Sequence, residues 1–191
     1  MNKLPTSGKE WSQIARDLPS ERTRTINRFT ARLRIAHLFG GLKLNELSPE
    51  TVRGYEAMFS VFLSYTAFEL FWAGLAEYYE EVSIENEKYE FELSDSGLGE
   101  KLKSNKKLEH FLLHEKLSND LLRGTNDFFG GHESNLMPIL AGIRHKVAHG
   151  HLSVAGINAD TKGNSQAIWD ASQLLIEATD DLFSSFVCSL D

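Results

Sequence analysis

Six residues near the end of the chain combine a fixed cation with titratable rings: Arg144, His145, Lys146, Val147, Ala148 and His149, followed by Gly150. A guanidinium is a permanent positive charge whose planar donor fork fits phosphate oxygens. An imidazole can take up and release a proton near neutral pH. Together they suit cleavage of an RNA phosphodiester. The ring moves the proton of the 2′-hydroxyl, and the guanidinium offsets charge building on phosphorus. With the 2′-hydroxyl as nucleophile, that chemistry needs no metal.

The element that must present these groups is a helix starting near Asn135, with Pro138 tolerated in its first turn. At about 100° per residue, Leu136, Ile139, Leu140, Ile143 and Val147 form a core stripe. The opposite face carries Met137, Pro138, Ala141, Gly142, His145, Ala148 and His149, with Arg144 at its edge, and only Lys146 reads as an ordinary solvent residue. Small side chains opposite a core stripe imply a second covering surface, either another helix of this chain or a second copy. A two-fold axis along this face would bring two copies of Arg144, His145 and His149 together. Gly150 reads as the C-cap, so His149 is expected in the final turn, where unpaired carbonyls favour a cation.

The run Arg144 to His149 resembles the Arg-x4-His signature of the HEPN superfamily, in which a polar residue, here His145, follows the Arg. The resemblance implies an all-helical fold with the motif late in the chain. It further implies Arg144 and His149 as catalytic residues, His145 as a supporting polar group, and no cofactor. Many members are dimeric, metal-independent endoribonucleases in toxin–antitoxin or defence systems, so RNA, a second copy of the chain and an antitoxin protein are the implied partners. Arg24, Arg28 and Arg32, four residues apart on one helix face, and Lys146 and His151 beside the motif, are candidate RNA contacts. The competing readings are structural. In them Arg144 binds a carboxylate or helix end, His149 is a capped terminal residue, the Arg stripe is a solvated face, and His151 is a loop histidine. A non-catalytic helical module that binds RNA or a protein through the same face is the alternative function, and a pure dimerisation bundle a third.

Other chemistries lack their residues. His110 and His114, like His145 and His149, are spaced i, i+4, but neither Glu-x-x-His nor His-Glu-x-x-His occurs, so no metal site is expected. No phosphate-cradling Gly loop and no Ser or Cys nucleophile motif is present. Cys188, a lone cysteine in an apolar helix, reads as a packed thiol. One cysteine and an N-terminus without an apolar run make the cytoplasm the expected compartment.

The 191 residues carry a formal charge of −7, 41% hydrophobic and 25% charged side chains, values that exclude a disordered or fibrous chain. Residues 1–43 hold nine basic side chains against three acidic ones, so a local positive field coexists with an acidic total. The window 77–95 holds eight carboxylates and only Lys88, and is expected to repel a polyanion.

Periodicity is helical almost throughout. Ile26, Phe29, Leu33 and Ala36 mark one amphipathic helix ending at Gly40-Gly41, and Ser48-Pro49-Glu50 opens the next. The second contains the most apolar stretch, 58–75, whose length approaches a membrane span. Glu69, Ser60, Ser64, Tyr65 and Thr66 inside it favour a central core helix. Residues 91–103 read as a loop, Ser104 as the cap of a helix carrying Leu108, Phe111, Leu112 and Leu117, 121–129 as a short helix, 153–164 as non-helical, and about 165–189 as the last helix. The expectation is one all-α domain over 19–191, a bundle of four or five principal helices, with residues 1–18 as a looser leading segment.

Overall fold

A computed structural model describes residues 23–188 apart from 82, 115, 116, 152, 158 and 160. The leading segment 1–18 lies outside the described residues, as does the side chain of Cys188. The described chain is all-helical, with no strand among the described residues. In chain order the helices are α1 (Thr23–Leu38), α2 (Pro49–Tyr79), the one-turn α3 (Ser83–Asn86), α4 (Ser96–Lys103), α5 (Lys106–Leu113), α6 (Asn119–Phe129), α7 (Met137–Ala148) and α8 (Lys162–Cys188). A 3₁₀ turn, Glu87–Tyr89, follows α3.

Helix α2 organises the rest. Ser48 caps it, its hydroxyl accepting from Thr51 N at 3.2 Å, and Pro49 occupies the first position, where a missing N–H costs nothing. Glu50 adds a carboxylate at the positive helix end, held below the ordinary 4.5 by backbone hydrogen bonding and then by Arg53 and Ser48. Two sets of buried positions, one through Met58, Val61, Tyr65, Phe68 and Trp72, the other through Ser60, Ser64, Ala67 and Phe71, give α2 two packed faces. It packs most extensively on α8 and α1, then on α7. By length and composition α2 could cross a membrane, yet over half of its most apolar window is buried within this fold.

The serines of that stretch are used internally, whereas Thr66 Oγ1 is buried with no hydrogen-bond partner. Ser60 and Ser172 pair across the α2–α8 contact, and Gln173 donates to Ser60. Phe29 of α1 meets Phe71 of α2 and Phe183 of α8, with centroids 5.4 and 5.0 Å away, which ties three helices into one core. Gly54 lets Val154 and Ala159 lie on α2. A Cβ there would overlap Val154 Cγ1 and stand 3.0 Å from the Ala159 carbonyl oxygen.

Three local expectations are corrected. Residues 96–103 are helix α4, because Asp95 caps it (its Oδ1 accepts from Leu98 N at 2.8 Å) and Leu102 is buried, which outweighs the cost of Gly97 and Gly99. Asn105, not Ser104, caps α5: its Oδ1 accepts from Leu108 N and its Nδ2 donates to the Ile157 carbonyl. The motif helix begins at Met137, with Asn135 working from outside it.

Candidate functional site

Asn135 fixes where α7 starts. Its Oδ1 accepts from Met137 N at 3.0 Å and Leu93 N at 3.1 Å, its Nδ2 donates to Phe91 O, and Leu136 N donates to Leu93 O at 2.7 Å. The 91–93 segment is thereby strapped across the helix start. The expected stripe of Leu136, Ile139, Leu140, Ile143 and Val147 is buried. The small-residue face is covered by the chain itself over its first half. Gly142 sits against Leu112 of α5, and Pro138 against Gly124 of α6. Ala148, His149, Gly150 and His151 at the far end are exposed.

That end closes in a Schellman arrangement. Gly150 takes φ +80°, Gly150 N donates to Val147 O, and His151 N donates to Lys146 O at 2.9 Å. His149 is therefore the C-cap residue rather than part of the final turn, and two of the last carbonyls are already satisfied. The His145 and His149 rings lie together, centroids 4.4 Å apart. Burial, and then the charges of His149, Lys146, Arg144 and His151, hold the His145 imidazole below its ordinary 6.5. A proton is thus bound less readily in the folded state than in the unfolded one. Stability from this group is complete above about pH 6.5 and is lost as pH falls through the lower folded value. A His145→Gln variant should accordingly show a flatter fall of Tm between about pH 7 and 5. An unchanged slope in thermal melts would contradict this.

Arg144 faces elsewhere. It is five positions from His149, about 140° around the helix. Its Nη2 lies 2.6 Å from Glu69 Oε2 of α2, each side chain about 30% exposed, while its Nε is buried with no hydrogen-bond partner. It lines a cleft of about 500 Å³ with Arg28, Arg32 and Ile35 of α1, Thr66, Glu69 and Leu70 of α2, and Lys88 of the 3₁₀ turn. Four cations and one carboxylate line this hollow, which makes it a focused positive site.

Of the residues singled out by sequence, the fold thus brings Arg28 and Arg32 to Arg144. Arg24 is exposed on the same helix one turn earlier and is not part of the cleft lining. His145, His149 and His151 stand at the end of α7, outside the lining. Lys146 requires correction: it is 1% exposed, its ammonium 5.2 Å from the centroid of the Phe111 ring, and so is removed from the RNA contacts. On the helical wheel it lies about 60° from Ile143, at the edge of the core stripe, and its long stem packs there. The exposed rings of His110 in α5 and His114 at its C-cap lie against each other, 3.8 Å between centroids. Among the described residues no group of three or more His, Cys, Asp or Glu side chains is placed to hold a metal.

Sequence reasoning missed Glu69 and Lys88 as site residues. A lone carboxylate inside the most apolar stretch requires a cationic partner when buried, and that signal was present. Lys88 was hidden by the acid around it. No known protein family, curated protein or solved structure matches this chain.

Proposed function

We propose that this chain is a HEPN-like, metal-independent endoribonuclease that seats an RNA phosphate in the Arg28–Arg32–Arg144–Lys88 cleft. The observation that carries the reading is the position of Arg144, the motif cation, in a cleft lined by three further cations from two other elements. His149 takes the proton from the 2′-hydroxyl, O2′ attacks phosphorus, and the 5′ oxygen leaves with a proton returned by imidazolium. The products are a 2′,3′-cyclic phosphate and a 5′-hydroxyl. Arg144 offsets the charge on the pentacoordinate phosphorus. Since His149 is exposed and does not line the cleft of its own protomer, the working site is completed in a homodimer formed along the exposed end of α7. Activity of this kind fits a toxin restrained by an antitoxin, or a defence enzyme, in the cytoplasm.

A second reading, a non-catalytic module that binds RNA or a protein partner, is favoured by one observation: Glu69 already occupies Arg144 and no imidazole lines the cleft. Incubating pure protein with labelled single-stranded RNA in EDTA separates the two. Cleavage is expected at an undiminished rate. Binding without cleavage would leave only the module.

A further inference from the structure

We propose that Glu69 is a specificity-determining residue of the cleft: it holds Arg144 in the free protein, so that only a ligand carrying two or more linked phosphates displaces it. The proposal rests on the reading that the cleft binds phosphate, and not on cleavage. The Glu69 Oε2 to Arg144 Nη2 contact is 2.6 Å, and both side chains sit on the cleft wall. A guanidinium grips phosphate through its planar donor fork, and the carboxylate already engages one nitrogen of that fork, Nη2. A single phosphate arriving at Arg144 therefore exchanges one anionic contact for another. It also comes to rest beside the displaced carboxylate, a like charge at close range, and the net gain is small.

The other cations change that balance. Arg28 and Arg32 reach the hollow from α1 and Lys88 from the turn after α3, so they stand on different walls from Arg144. A ligand with linked phosphates meets them in the same binding event. Once one phosphate is seated, the next is delivered at high effective concentration. The cost of displacing Glu69 is met once, while the favourable contacts rise with the number of phosphates. In the wild type, inorganic phosphate is thus selected against and a phosphodiester chain is selected for.

The test is a set of dissociation constants for three probes: inorganic phosphate, pyrophosphate and a single-stranded 2′-O-methyl oligonucleotide, which lacks the nucleophile and stays intact. Wild type, Glu69→Gln and Glu69→Gln/Arg144→Ala are compared by calorimetry, with folding checked by thermal melts. Glu69→Gln should bind inorganic phosphate about tenfold more tightly, with a smaller gain for the oligonucleotide, narrowing the gap between them. The gain should vanish when Arg144 is absent. Should Glu69→Gln melt early, Glu69→Asp, which withdraws the carboxylate by one methylene, should shift the same ratio in the same direction. Equal gains on all three probes, unchanged affinities, or a gain that persists without Arg144 would overturn the proposal. Failure of every probe to bind would overturn it together with the phosphate cleft. Oligonucleotide binding with the expected Glu69 pattern, alongside RNA bearing free 2′-hydroxyls left uncut in the cleavage assay, would support the specificity claim while ending the nuclease reading.

Discussion

Replacing His149 by Ala should reduce RNA cleavage by roughly 10²- to 10⁴-fold, the usual worth of a positioned proton-transfer group. Arg144→Ala should cost roughly 10²- to 10³-fold, comparable to losing one preorganised donor at a developing anion. Neither loss should come from unfolding. His149 is exposed at the C-cap, and its ring meets that of His145. Its truncation should change stability by no more than about 0.5 kcal/mol. Arg144 forms an ion pair with Glu69 at partial exposure, a contact worth about 1 kcal/mol or less after solvent screening. Thermal melts near wild type with cleavage abolished in both variants are the expected pair of results. Cleavage retained in both would refute the assignment. Arg144→Lys, which keeps the charge and loses the fork, should recover only part of the rate.

The second large effect is on stability. Phe68 is fully buried in α2, and its ring lies 5.8 Å from Tyr65, 6.2 Å from Trp72 and 5.2 Å from Phe91, centroid to centroid. Truncation to Ala removes an aromatic side chain from three ring contacts and leaves a cavity the surrounding helices cannot close. A cost of about 3–5 kcal/mol is expected. At roughly 2–4 °C per kcal/mol for a chain of this size, Tm should fall by about 6–20 °C. The Phe91 contact makes this more than a core defect. Phe91 O accepts from Asn135, and the same strap holds Leu93 against the start of α7. Amide exchange at 91–93 and at the first turn of α7 should therefore rise in Phe68→Ala before global unfolding. A variant that melts within about 2 °C of wild type would contradict the packing described.

Much of this fold was legible in the sequence because apolar spacing and helix punctuation agree. Ser48-Pro49 marked the start of α2 to the residue, and the stripe from Leu136 to Val147 identified the buried face of α7. Helix α4 was missed because Gly97 and Gly99 outweighed the Asp95 cap in a local reading, whereas burial of Leu102 decides in the fold. Lys146 was misread by residue type against its wheel position. At the site, motif spacing located Arg144, and a four-residue repeat located Arg28 and Arg32. What spacing could not give is the third dimension. That α1 and α2 place those arginines opposite Arg144, with Glu69 already on it, depends on long-range packing. The 140° between Arg144 and His149 was available from helix geometry, yet its consequence emerged only once the cleft was seen on one side of α7.

The most direct test of the central claim, that this cation and this imidazole act on one RNA phosphate, is the chemistry of the new ends. Pure protein, single-stranded RNA and EDTA are incubated, and the fragments are identified by mass spectrometry. A 2′,3′-cyclic phosphate with a 5′-hydroxyl, lost together in Arg144→Ala and His149→Ala, is the result predicted. RNA left intact, or cut to a 3′-hydroxyl and a 5′-phosphate, would contradict it.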